Sequence, residues 1–354
     1  MSAYFPRTDL DCIDSSVLLD FCKVKTHEQY MKIGMKLLSF VEKQFGKQIV
    51  IPIDVRPLSD TWGTESHSTH AQLLRHGRSV FKVVRLDEKH IGLAINLVAE
   101  GLIHILIHES MEIADDILSR NVVPILRLGT VCPSVLFKTP AIAIEMATAS
   151  ESLFHLQSTN AQDYWCVFLD IATVLENLWM LHRFVHGDLI ITNVTVHHLF
   201  KTYRQRVCNS SGKSFTLFRQ RIGARLIDFG HASVDLTTFY HKEKSQLQRR
   251  RFHASLLHRF EHDGHTLEEN IFDIPMLFMS IYVDRDHHTL PPDIVRFIEN
   301  NIVTPCGATK RQWKDRTNRI HLYRRIYDNK SVLHDGHCTP RWLKDQAIEH
   351  LVSL

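Results

Sequence analysis

Apolar residues recur along this chain with two periods. In the first fifty residues Ile33, Met35, Leu37, Leu38 and Val41 fall near helical spacing and predict a helix. Residues 51–86 read as strands: Ala71–Leu74 and Ser79–Leu86 flank a His76-Gly77-Arg78 turn, the pattern of a hairpin. Helical spacing returns over 90–118, through Ile91, Leu93, Ile95, Leu97, Val98, Leu102, Ile103 and Leu106. Val122–Leu128 and Ala141–Met146 predict strands, and 161–182 predicts a helix carrying Phe168, Leu169, Ile171, Ala172, Leu175, Leu178 and Trp179. An apolar strand follows at Ala224–Ile227, then an apolar run from Asp273 to Tyr282 that fits a buried helix. Pro275 is tolerable there because it falls in a first helical turn. Pro291-Pro292 precedes a last helical pattern at Ile294, Phe297 and Ile298, and no internal repeat or low-complexity linker is visible.

Strands gathered around one helix, then mostly helices, predict an α+β chain. The expected parts are an N-terminal extension (1–50), a β-rich lobe (51–147) and a mostly helical lobe (148–354). Residues 197–223 interrupt the second lobe with a polar stretch that includes Lys201, Arg204, Arg206, Asn209, Ser210, Ser211, Gly212 and Lys213. It reads as a projecting polar loop, a tolerated surface insertion ahead of a partner site.

Composition narrows the function classes only slightly. The 354 residues are 44% hydrophobic and 23% charged, enough for one two-lobed domain or two small ones. A net charge of +3 does not argue for nucleic acid. Most of the 24 histidines are expected at the surface or as satisfied core residues. Seven cysteines, an odd number with no Cys-x-x-Cys pair, suggest reduced thiols in an intracellular protein, cytoplasmic or nuclear. The N-terminus does not read as a signal peptide, and no uninterrupted apolar run has the length of a membrane span.

The chemistry concentrates in two stretches. Val185-His186-Gly187-Asp188-Leu189-Ile190-Ile191-Thr192-Asn193 supplies a carboxylate and, five residues on, an amide; Arg225-Leu226-Ile227-Asp228-Phe229-Gly230 supplies a second carboxylate after an apolar strand. That is the minimum set for taking a hydroxyl proton and holding a divalent metal on a nucleoside triphosphate. His-x-Asp-x-x-x-x-Asn followed by Asp-Phe-Gly matches the protein-kinase signature. The chain resembles a divergent eukaryotic-type protein kinase over roughly residues 60–300, of the kind that large DNA viruses encode.

The resemblance implies a bilobal fold and a set of roles. Asp188 would orient the accepting hydroxyl and take its proton. Asn193 and Asp228 would hold metal, with Mg²⁺ expected and Mn²⁺ an alternative. Lys82, in Ser-Val-Phe-Lys-Val-Val, has the setting of the lysine that contacts the α- and β-phosphates of ATP. Its glutamate partner would be Glu100, 18 residues on, with Glu109 as the alternative because it places Ile113 one turn further along the helix. The adenine ring would meet the backbone at Glu145-Met146-Ala147, and Gly63 would sit in the nucleotide-covering loop. The Asp273 helix resembles the one whose buried aspartate bonds the catalytic-loop backbone.

Departures from the family keep rival readings open. No Gly-x-Gly-x-x-Gly exists; Gly63 and Gly77 alone stand near the expected loop, with Thr64, Ser66 and Ser68 as polar substitutes. Ile190 occupies the place of a lysine near the transferring phosphate, and Gly187 replaces the arginine that reads a phosphorylated activation segment. No Ala-Pro-Glu follows Asp228. The basic run Lys242, Lys244, Arg249, Arg250, Arg251 suits an acidic substrate, nucleic acid or nuclear import, against a plain solvated face. Trp313, Tyr323, Tyr327 and Trp342, spread among arginines and lysines, favour a lobe cap over a nucleic-acid surface. The expected activity is ATP- and Mg²⁺-dependent transfer to serine or threonine of a protein substrate, with no membrane or nucleic-acid partner. A pseudokinase scaffold and a small-molecule phosphotransferase of related fold, which His-Gly-Asp-Leu also fits, are the alternatives.

Overall fold

The structure, a computed structural model, describes residues 15–22, 24, 26–44, 48–57, 71–114, 121–133, 136–149, 151–199, 202–219, 222–236, 251–254, 270, 273–284, 289–304 and 338–353. Helices and antiparallel sheets share them, so the chain is of mixed α+β class. It divides into two compact units. The first takes Met1–Thr148, Met180–His186 and Asp228–Thr266; the second takes Ala149–Trp179, Gly187–Ile227 and Leu267–Leu354. The chain passes from one unit to the other after residues 148, 179, 186, 227 and 266.

The first unit begins with α1 (Ser15–Cys22) and α2 (His27–Gln44). Thr26 caps α2, its hydroxyl accepting the Gln29 N–H at 3.2 Å. The sheet contains β1 (Arg56–Pro57), β2 (Gln72–His76), β3 (Ser79–Arg85), β4 (Ile125–Thr130) and β5 (Ala141–Ala147), in the antiparallel order β1-β2-β3-β5-β4. Gly77 turns the β2–β3 hairpin at φ 55°, a conformation that costs a residue with a side chain but not glycine. Ile49, Ile51, Leu74, Phe81, Val83, Val131, Phe137, Ala141 and Ala143 form an apolar cluster with the sheet. Each large side chain removed from water there contributes about 1.5–3 kcal/mol.

The long helix α3 (Ile91–Ala114) packs with β3, β4 and β5. Gly101 sets its closeness, since a Cβ there would stand 3.0 Å from Leu128 Cδ1 and 3.3 Å from Ile144 Cδ1. The helix is apolar nearly all round, as a buried helix must be. It and α4 (Ala161–His182) are long and apolar enough to cross a membrane, but 78% of each such window is buried within the protein, which marks both as core helices. A short ladder, β11 (Ser233–Asp235) with β12 (Arg251–His253), completes the unit.

The second unit contains most of α4, a sheet of order β10-β7-β6 and a separate hairpin. The sheet strands are β6 (Glu151–Ser152), β7 (Val194–His198) and β10 (Ile222–Leu226). Helices α5 (Asp273–Asp284), α6 (Pro292–Ile298) and α7 (Pro340–Val352) follow. Trp165 on α4 is the hub: His350 stacks on it with ring centroids 3.9 Å apart, and Phe168 and Phe297 meet it edge-on. Phe297 also stacks on Trp342, so that aromatic faces the core of the second unit.

The polar insertion is not a loop. It forms β8 (Tyr203–Cys208) and β9 (Ser214–Arg219), an antiparallel hairpin closed by a turn at Asn209–Lys213 with Gly212 at φ 80°. Its inward alternation, Gln205, Val207, Leu217 and Arg219, contains two polar residues and therefore escapes an apolar-period reading. Arg219 is fully buried and gives Nη2 to Asp170 Oδ2 on α4 at 2.8 Å. The Ala224 N–H reaches the same oxygen at 2.9 Å. At the far end the Ser210 N–H donates to Asp345 of α7 at 2.8 Å.

Candidate functional site

The first unit builds a three-membered charge cluster. Lys82 leaves the middle of β3 with its side chain only 16% exposed. Its ammonium lies 2.9 and 3.0 Å from the two carboxylate oxygens of Glu100 on α3 and 3.0 Å from Asp228 Oδ1. The glutamate is therefore Glu100 and not Glu109. Asp228 adopts φ 61°, in the left-handed region that aspartate tolerates better than most residues. Gly230 follows close by: its N–H donates to Asp228 Oδ1 at 3.3 Å, and a Cβ would stand 3.4 Å from Glu100 Oε2.

These contacts push the charges in different directions. Burial works against the Lys82 ammonium, but Asp228 and Glu100 more than compensate and raise its pKa. Burial would raise the Asp228 carboxyl, yet the charge and hydrogen bond of Lys82 hold it down to about 2. Glu100 is pushed up to about 7 by burial, with the charge of Asp228 opposing the help from Lys82.

Behind the cluster stands an aromatic column that the motif spacing did not reveal. Phe229 is fully buried and packs on His104 of α3 (centroids 4.7 Å), on His186 (5.4 Å) and on Phe184 (6.0 Å). His104 follows Glu100 by one helical turn, so the helix that aims the carboxylate also supplies the ring that supports Phe229. Its Nε2 bonds the Val123 carbonyl, and burial lowers its pKa to about 3, keeping the ring neutral. The available signal was the spacing of four from Glu100.

The second unit holds Asp188 and Asn193 in one turn. The Asn193 Nδ2 group donates to the Asp188 carbonyl at 2.8 Å and to Asp188 Oδ2 at 3.2 Å. This aims Asn193 Oδ1, the atom a metal would take, away from Asp188. Helix α5 pins the turn at both ends: Asp273 Oδ1 accepts the Gly187 N–H at 3.0 Å, and Ser280 Oγ accepts the Ile191 N–H at 2.9 Å. Asp273 is fully buried, and its other oxygen takes the Asn270 amide at 2.7 Å. Gly187 has φ 77°, the reason for glycine to stand there.

Glu145 and Ala147, where adenine contacts are expected, stand in β5. Glu145 lies inside β5 with β3 on one side and β4 on the other, so its backbone faces sheet partners. Its buried carboxylate accepts from Ser79 Oγ at 2.8 Å and from Arg127 Nε. The Ala147 N–H donates to the Pro124 carbonyl at 2.9 Å. Gly63, Thr64, Ser66 and Ser68 lie outside the described residues, as do Lys242, Lys244, Arg249, Arg250, Trp313, Tyr323 and Tyr327.

As metal donors, Asp228 and Asn193 offer hard oxygen, which suits Mg²⁺. Among the described residues no group of three or more His, Cys, Asp or Glu side chains is arranged to hold a metal ion alone. An ion arriving with a triphosphate needs few protein ligands, so the oxygen that each of these residues offers in its own unit suits that use. No protein-family model matches the sequence, and no curated protein matches it.

Proposed function

We propose that this chain is a divergent protein kinase, with the first unit as the small lobe and the second as the large lobe of a kinase-like fold. It transfers the γ-phosphoryl group of ATP to a serine or threonine hydroxyl of a protein. The observation that carries this reading is the Lys82 ammonium held by both Glu100 and Asp228 within 3.0 Å, because these three residues come from separate segments for which phosphoryl transfer has a joint use. Bound Mg²⁺ would neutralise charge on the β- and γ-phosphates, with Asp228 and Asn193 as its protein ligands.

The remaining chemistry belongs to the chain. Lys82 fixes the α- and β-phosphates, and Glu100 fixes Lys82. The acceptor oxygen forms its bond to the γ-phosphorus as the bond to the ADP oxygen breaks, and the hydroxyl proton passes to the Asp188 carboxylate. Asp273 and Ser280 hold the turn that orients Asp188.

A folded preparation incubated with γ-labelled ATP, Mg²⁺ or Mn²⁺, and protein or small hydroxylated acceptors tests this. Label on protein that falls by 10²-fold or more in Asp188→Asn, about the size of a lost general base, and also falls in Asp228→Asn, supports the reading. Label on small acceptors alone moves the assignment to a small-molecule phosphotransferase. No transfer above the variants leaves a pseudokinase, the reading favoured by Ile190 standing where a cation is expected.

A further inference from the structure

The N-terminal helices do more than cover the sheet. Tyr30 on α2 is buried, and its hydroxyl bonds the Gly92 carbonyl at 3.3 Å and Asn96 Oδ1. Gly92, Asn96 and Glu100 follow one another at intervals of four, so they lie along one face of α3. Tyr30 therefore grips the row that ends in the Lys82 partner. Close by, the Ile95 side chain of α3 packs directly onto the Gly34 backbone of α2: a Cβ on Gly34 would stand 2.4 Å from Ile95 Cδ1 and 2.7 Å from its Cγ2. The Tyr30 ring packs on Phe21 of α1 at 5.4 Å, and Phe21 packs on Phe252 of β12 at the same distance. Strand β12 pairs with β11, which begins three residues after Gly230.

We infer that α1 and α2 form a built-in brace, and that Tyr30 is a positioning residue that sets Glu100 against Lys82. The brace also touches, through Phe21 and Phe252, the strand pair that follows Asp228. Both carboxylates on Lys82 are thus reached from one N-terminal element. The chain carries in α1 and α2 the part that fixes the α3 helix. This inference rests on the kinase reading for its catalytic consequence, but not for its geometry.

The test uses the full chain with Tyr30→Phe, which keeps the ring and removes the hydroxyl, and Gly34→Ala, which wedges the helices apart. The first measurement needs no activity. Trace acetylation with acetic anhydride, read by mass spectrometry, reports how well Lys82 is shielded. Lys344, paired with Glu176 in the other unit, is the internal standard. Lys82 labelling is expected to rise several-fold in Tyr30→Phe and further in Gly34→Ala, with Lys344 unchanged.

The second measurement is a double-mutant cycle on kcat. Tyr30→Phe is expected to lower kcat about 5- to 30-fold in the wild-type background, and less than twofold once Glu100→Gln has removed the residue it positions. Unchanged Lys82 labelling in both folded variants overturns the brace. So does a Tyr30→Phe loss of the same size in both backgrounds, which is the mark of a merely structural role. Labelling that responds in a protein with no Asp188-dependent transfer keeps the brace and removes the kinase reading.

Discussion

His104 and Phe229 meet at a tilt, with ring centroids 4.7 Å apart and planes inclined at 57°, while the histidine's Nε2 bonds the Val123 carbonyl. Its presence makes part of the core titratable in principle and neutral in practice.

That neutrality has a sign. His104 and His182 are buried with pKa values lowered to about 3 and about 4, and His197 is likewise lowered to about 4. Each contributes stability that is complete above the unfolded value of about 6.5 and is lost as pH falls toward the folded value. Urea unfolding should therefore show stability dropping by several kcal/mol between pH 7 and pH 4. His104→Leu should cost about 1–3 kcal/mol at pH 7.5, where the Val123 carbonyl loses its donor, and should flatten the acid slope.

Glu100 predicts the opposite slope and a conflict between stability and use. Its folded pKa of about 7 lies above the ordinary carboxyl value, so its contribution to stability falls as pH rises toward 7 and is level beyond. Glu100→Gln should keep or raise thermal stability at pH 8, measured by calorimetry. The same variant should lower phosphoryl transfer at least tenfold.

Asp170 and Arg219 should show the asymmetry of a buried ion pair. Arg219→Met leaves the Asp170 carboxylate without its cation and should destabilise the second unit by about 3–5 kcal/mol. Asp170→Leu combined with Arg219→Met should cost much less than the two single changes added together. Guanidinium unfolding of the four proteins measures this.

Asp273→Ala removes the acceptor of the Gly187 N–H and of the Asn270 amide together. A loss of about 2–4 kcal/mol is expected, from two buried donors left without their acceptor. If Asp188 chemistry depends on the turn being held, kcat should fall while KM for ATP changes little.

Much of this was readable in the sequence, for identifiable reasons. Asp228 is legible because its motif fixes it, Lys82 because of its strand setting, and α3 and α4 because of long apolar periods; Glu100 stood against Glu109 until the contact to Lys82 decided between them. The hairpin of 203–219 did not, because its inward face carries Gln205 and Arg219, whose burial depends on partners 49 or more residues away in the case of Arg219. In Glu145-Met146-Ala147 an end of strand and a strand interior look alike in sequence; the β4 ladder on the far side puts Glu145 inside the sheet. Tyr30 carried no local signal, since its meaning lies in Gly92 and Asn96, more than sixty residues on.

The five crossings between the two units bear on how the chain can be made. Neither unit is a contiguous stretch, so neither can be excised by cutting the gene at one point. On a ribosome, β3 and α3 emerge early and can bring Lys82 to Glu100, but Asp228 lies 146 residues after Lys82 and the β11–β12 ladder later still. Until that segment is synthesised, Phe229 is missing and the His104 face of α3 is bare of its partner. A nascent chain stalled before residue 228 should therefore expose apolar surface to chaperones, and release from them should coincide with translation of the Asp-Phe-Gly segment.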